Sequence, residues 1–285
     1  GRAPLRRLTR NEYDNSVAFL FGDESRPAER LIDNERGVVS ADARIVTPLL
    51  ADQYMLAAED VSARATENLD ALLQCAGASE LDCGHAFIDE LGRRAFRRPL
   101  DADERSALTS IFDTLLEEQG LRGATQGVIE LMLQSPSFLY RPELPTSARE
   151  EIVRLDGYQL ATRLSFLLWQ TTPDDELLDL AESGAFDTDE GVAEIARTML
   201  DDSRAEPAIQ TFFHHYLELD QLNGLTKDDE TYPDFTEQVA ELLGEETHAF
   251  VHAVLSEESG DWRTLLTADW TMMNGPLAEY YGVEG

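Results

Sequence analysis

Leu155 to Glu182, LDGYQLATRLSFLLWQTTPDDELLDLAE, decides the fold. Asp156 followed by Gln159 has the spacing of a helix N-cap with a back-bonding partner. Leu160, Leu164, Leu167 and Leu168 then recur at helical spacing, with Ala161 on the same face. Gln170-Thr171 interrupts the pattern. Thr172 is expected to cap a second helix with Pro173 at its first position, where a missing N–H leaves nothing unsatisfied. That helix turns Leu177, Leu178 and Ala181 inward and stops at Gly184, so the stretch reads as a helical hairpin with Trp169 at its elbow.

Working outward, the same punctuation recurs. Thr9 and Glu12 form a capping box for a first helix carrying Tyr13, Val17, Leu20 and Phe21 on one face and ending at Gly22. Asp23 to Val46 reads as irregular. Thr47-Pro48 opens a long helix expected to run to Cys75. Phe87, Ile88, Leu91 and Ala95 mark a helix halting at Arg98-Pro99, and Asp101 with Glu104 caps the next, which ends at Gly120. A third carries Val128, Leu131 and Met132, and Arg141 to Glu150 reads as a linker.

Beyond the hairpin, Asp187 is expected to cap a helix with Val192, Ile195 and Met199 inward. Ile209, Phe212, Phe213, Tyr216 and Leu217 form the inward face of the next. After an acidic loop, Asp234 and Glu237 open the longest helix of this half, and two short helices flank Asn274-Gly275-Pro276. No period-2 alternation persists and no repeat of 20 to 50 residues is visible. The class is therefore all-α: an N-terminal helical unit (1–74), a three-helix unit with an arginine-rich motif and a cysteine pair (75–141), and a large helical domain (150–285).

Charge excludes partners. The net charge is −33, with 17 basic against 26 acidic residues in 1–150 and 6 against 30 in 151–285. Such a field repels nucleic acid and anionic lipid. Lys227 is the one lysine beside twenty-two arginines, a balance that fits a saline habitat or a high-GC genome, or an acidic surface meant for a basic partner. No run of 18 apolar residues is present to span a bilayer.

Candidate chemistry is sparse. On a wheel of about 100° per residue starting at Val239, Glu245, His248 and His252 share a face, but the polar one, opposite the apolar stripe. They read as solvated, and His214 and His215 as surface or interface residues. Glu246 falls at about 340°, inside the apolar face, where a carboxylate needs a partner. Arg163 borders the apolar face of the hairpin's first helix, so the two are expected to form a buried structural pair; the alternative is a partly exposed Glu246 at a groove edge. Arg93, Arg94, Arg97 and Arg98 form a dense basic patch expected to hold neighbouring carboxylates. Cys75 and Cys83 suit a bridge closing a short loop; two thiols alone make a poor zinc site, and C-x₇-C is no redox motif. C-x-x-C-H, G-x-S-x-G and glycine-rich phosphate loops are missing. No catalytic, cofactor-binding or metal-binding set is assigned, and no cofactor is expected.

Four stretches in order carry a resemblance: LRRLTRNEYDNSVAFLFG, FIDELGRRAFRRPLDADE, ATRLSFLLWQTTPDDELLDLAESG and LLTADWTMMNGPLAEYYG. They resemble the planctomycete-type cytochrome-associated family of secreted bacterial proteins, built from consecutive domains of unknown function. The resemblance covers nearly the whole chain. It implies export to the periplasm or beyond, and with it a structural Cys75–Cys83 disulfide. It also implies further C-terminal domains past Tyr280-Tyr281-Gly282 and a cytochrome c module elsewhere, so the chain is expected to be a fragment or a processed form. Two function classes follow. One is a non-catalytic scaffold or interaction module docking an electron-transfer partner such as a c-type cytochrome, whose basic faces complement an acidic surface. The other is an exported redox or polymer-degrading enzyme with its site in the large helical domain or a missing C-terminal part.

Overall fold

The N-terminal capping box forms as its spacing predicts: Glu12 N donates to Thr9 Oγ1 (3.2 Å) and Thr9 N to Glu12 Oε2 (2.9 Å). The computed structural model describes residues 5–32, 46–75, 77–143, 154–228, 230–256 and 261–283. The later part of the irregular stretch (33–45) and most of the expected linker (144–150) lie outside them. Among the described residues there are thirteen α-helices and one two-residue ladder, so the all-α class holds.

The ladder joins β1 (Arg6–Arg7) antiparallel to β2 (Tyr140–Arg141), with Arg7 opposite Tyr140. α1 (Arg10–Phe21) follows and ends on Gly22 at φ 68°, a left-handed value that glycine adopts without penalty. The helix expected from Pro48 to Cys75 is two helices, α2 (Pro48–Ala65) and α3 (Leu69–Leu73). The break has a local cause. Thr66 turns its hydroxyl back onto the Ser62 carbonyl (2.9 Å), and Asn68 accepts from Ala71 N (3.2 Å) to start α3 afresh.

Next come α4 (Glu80–Ala95), α5 (Ala102–Gln134) and α6 (Pro136–Leu139). Gly120 sits inside α5 at φ 73°, ψ −179°, so α5 is two helices meeting at a kink, where the sequence ends one and starts the next. Tyr13, Tyr54, Val61, Ile88, Phe112, Ile129 and Phe138 are buried together in a core drawn from α1, α2, α4, α5 and α6. Tyr13 meets Phe138 edge-on at 5.6 Å.

The hairpin is α7 (Gly157–Leu168) and α8 (Asp175–Glu182), followed by α9 (Asp189–Leu200). Its buried face differs from the leucine stripe: Ala161, Ser165 and Phe166 are buried, whereas Leu167 is 64% exposed. Phe166 lies under the guanidiniums of Arg141 (4.7 Å) and Arg97 (5.7 Å), which fixes the rotation of α7. Thr172 does not cap α8. Its hydroxyl donates to the Arg94 carbonyl (2.8 Å), and Asp174 accepts from Leu177 N instead (2.9 Å). Likewise Thr188, not Asp187, caps α9. Trp169 does stand at the elbow, buried, with its indole N–H on the Met199 carbonyl (3.0 Å).

Packing divides the chain into two units, Gly1–Ser203 and Arg204–Gly285. Within unit 1 the arginines of α4 tie α8 to the helices before it, as described below. Unit 2 contains α10 (Ala205–Tyr216), α11 (Glu237–Ser256), α12 (Trp262–Thr267) and α13 (Gly275–Tyr281). Thr236, rather than Asp234, accepts from Val239 N at the start of α11 (3.2 Å).

Candidate functional site

The arginine patch is spent on structure. Arg94 grips Asp175 through Nε (3.1 Å) and Nη2 (2.6 Å) and reaches Glu90 (3.0 Å). Arg93 contacts Asp179 at 2.5 Å, and Arg98 forms a two-pronged bond with Glu104 (2.8 and 2.9 Å). These pairs hold the carboxyls of Asp175 and Glu104 below the usual carboxylate range. Arg97 is the exception. It is 2% exposed, takes a left-handed φ of 61°, and donates to the carbonyls of Ala95, Phe138, Ser137 and Tyr140 at 2.6–3.1 Å. Burial and the nearby Arg141 push its pKa down to about 9, so it stays charged at neutral pH.

The remaining structural residues find partners inside their own units. Cys75 and Cys83 form a disulfide, Cα to Cα 5.6 Å, tying the segment after α3 to the first turn of α4. Arg163 bonds both oxygens of Glu143 (2.9 and 2.8 Å). Glu246 is half-buried and accepts from the hydroxyls of Thr271 (2.7 Å) and Tyr281 (2.8 Å). Arg163 thus has a carboxylate partner within unit 1, and Glu246 has two hydroxyl donors within unit 2. Burial and the bond to Glu246 push the Tyr281 phenol up to about 12.

Unit 2 holds the arrangement most suggestive of chemistry. The face of α11 that the wheel calls solvated meets α10. His214 Nε2 lies 2.8 Å from Asp220 Oδ1, and His214 Nδ1 lies 3.3 Å from His248 Nε2. His215 approaches the other Asp220 oxygen at 3.6 Å, and His252 pairs with Glu206 at 3.2 Å. The carboxylate sets the tautomer: a His214 Nε2–H on Asp220 leaves Nδ1 to accept from His248 Nε2–H. The bond to His214 holds Asp220 low, while burial and His214 hold His248 below the ordinary histidine value. A carboxylate–imidazole–imidazole chain of this kind orients a ring and can relay a proton. Among the described residues no three His, Cys, Asp or Glu side chains converge as a metal ion requires.

The opposite aspect of α10 carries aromatics. Phe212 and Tyr216 stack at 5.8 Å with planes 9° apart, and Trp262 of α12 lies 5.7 Å from Tyr216. Phe213 is buried beneath them, 5.9 Å from Trp262. Phe212, Tyr216 and Trp262 are 46%, 58% and 47% exposed, so two rings expected to face inward form a surface platform. Sequence reasoning missed this, and Asp220 with it. The signal was present in the width of the stripe: four large apolar residues on one short helix, with Leu217 just past its end, are more than a single partner helix covers. Asp220 carried no signal, being one acidic residue in an acidic stretch.

Three family models match consecutive parts of the chain, each described as a protein of unknown function: PSD3 (DUF1587) over 6–67, PSD5 (DUF1595) over 83–143 and PSD4 (DUF1592) over 155–283. The chain belongs to the planctomycete cytochrome-associated multi-domain family of unknown function. Within this family's architecture the arginine patch falls in the PSD5 segment, and the histidine chain and aromatic platform in the PSD4 segment. No curated protein and no solved structure matches the chain.

Proposed function

We propose that this family member is a non-catalytic interaction module that docks a basic protein partner, of which a c-type cytochrome is the fitting class, through unit 2. One observation carries the reading. The half-exposed platform of Phe212, Tyr216 and Trp262 belongs to a unit in which 204–285 hold 3 basic and 17 acidic residues. Exposed aromatic anchors on a strongly acidic unit match an interface with an apolar centre and a polar rim, and the charge steers a basic partner toward it. The disulfide supports a non-cytosolic location, periplasmic or extracellular, and among the described residues no helix is long and apolar enough to cross a membrane. Titration calorimetry with a c-type cytochrome tests the docking. Phe212→Ser, Tyr216→Ser and Trp262→Ser combined are expected to weaken binding at least about tenfold, and raising salt to weaken it further. A cytochrome that does not bind, or that binds the triple variant equally well, defeats the proposal.

A second reading, an exported redox or polymer-degrading enzyme in the large helical domain, draws on the Asp220–His214–His248 chain. It predicts a turnover that Asp220→Asn and His214→Ala abolish without changing cytochrome affinity.

A further inference from the structure

A cavity of about 560 Å³ opens in unit 1 where the ends of α1 and α2 face α3 and α4, a size within the ordinary range of small-molecule sites. Phe21, Leu72, Phe87 and Leu91 form its apolar wall. Its two lining arginines are already neutralised. Arg64 bonds Asp23 through Nε (2.9 Å) and Nη2 (2.8 Å) and donates to Ser25 (2.7 Å). Arg94 is occupied by Asp175 and Glu90. Glu24 and Glu67, also lining the cavity, make no ion pair among the described residues. The space thus combines aromatic and leucine surface with uncompensated negative charge and no available cation.

We propose that this cavity binds a small amphipathic organic cation, an ammonium carried on an apolar body. The body lies on Phe21, Leu72 and Phe87, the two phenylalanine rings also attracting a cation over their faces, and the ammonium meets Glu24 and Glu67. α3 is the wall that would otherwise be loosest, since none of its five residues is buried. The Cys75–Cys83 disulfide, two residues past its end, ties it to α4 and keeps the cavity formed.

Calorimetry with phenethylammonium, phenylacetate and ethylammonium tests the site on the whole chain. Phenethylammonium is expected to saturate one site, with phenylacetate and ethylammonium binding at least about tenfold more weakly. Glu24→Gln with Glu67→Gln is expected to weaken phenethylammonium about tenfold. Ala71→Trp, on the exposed α3 wall, is expected to fill the space and abolish binding with an unchanged circular dichroism spectrum. The proposal is overturned if phenethylammonium does not saturate, if phenylacetate binds as well, if ethylammonium binds as well, or if Ala71→Trp binds like the parent.

Discussion

The two units balance their excess of carboxylates by different means. Unit 1 answers its acids mainly with guanidiniums, Arg64 on Asp23, Arg93 and Arg94 on the acids of α8, Arg98 on Glu104, Arg105 on Asp89 and Arg141 on Glu12, beside one imidazole, His85 on Asp113. Unit 2 has few cations and answers with histidines and hydroxyls, His214 on Asp220, His252 on Glu206, and Thr271 and Tyr281 on Glu246. Guanidinium partners carry a fixed positive charge, whereas hydroxyl partners carry none. The comparison assigns unit 1 to scaffolding and leaves unit 2 acidic, aromatic and responsive to solution conditions. Trp169 reports on the first unit and Trp262 with Trp270 on the second, so Trp169→Phe separates their fluorescence transitions.

The hardest blow to unit 1 is Arg97→Met. It leaves four carbonyls without their donor and is expected to cost about 3–5 kcal/mol in denaturant unfolding of that unit, with the unit 2 transition unmoved. A cost under about 1 kcal/mol contradicts a stabilising role for the bonds from Arg97 to the carbonyls of Ala95, Ser137, Phe138 and Tyr140. Cys75→Ser with Cys83→Ser comes next, at about 2.5 kcal/mol from the loop it closes. A loss shared equally by both transitions contradicts the separation of the units.

Acid sharpens the contrast. Asp175 and Glu104 are held below their unfolded values by Arg94 and Arg98. As pH falls, the unfolded chain takes up those protons first. Their stabilisation is present above about pH 4 and is lost as pH falls through the folded pKa values. His248 is also held low, by burial and His214, so its contribution is full above about pH 6.5 and declines as pH falls toward its folded pKa. Calorimetric scans from pH 7.5 to 3 should show unit 2 softening before unit 1. Asp175→Asn is expected to cost about 1 kcal/mol at pH 7, since the pair is partly exposed, and less at pH 3 as protonation of the folded carboxyl sets in, and His248→Gln to flatten the unit 2 response between pH 7 and 5. Unit 1 softening first reverses the assignment. The smallest effect is that of salt: raising NaCl from 20 to 500 mM should raise the unit 2 midpoint by a few degrees by screening its self-repulsion and leave unit 1 level or slightly lower.

Most of the fold was legible because helix punctuation is local. Thr9, Asp101 and Asp156 cap where their spacing predicts, and Gly22 and Gly120 break where glycine should. The errors arise where a distant group outbids a neighbour. Thr172 prefers the Arg94 carbonyl to its own helix, and Leu167 loses the interior to Phe166 because two arginines from elsewhere cover that ring. The same limit governs the site. A helical wheel ranks faces of one helix but does not say which face a second helix covers, so it puts His248 on a solvated face although α10 brings His214 against it. The cysteine pair was open on spacing alone, and family resemblance with its implied compartment decided it.

Hydrogen–deuterium exchange of the whole chain, with and without an equimolar c-type cytochrome at low salt, tests the docking claim most directly. The account predicts protection confined to the segments around Ala205–Tyr216 and Trp262–Thr267, disappearing at high salt and in the Phe212, Tyr216 and Trp262 triple variant. Protection concentrated in unit 1, or none in either unit, contradicts it.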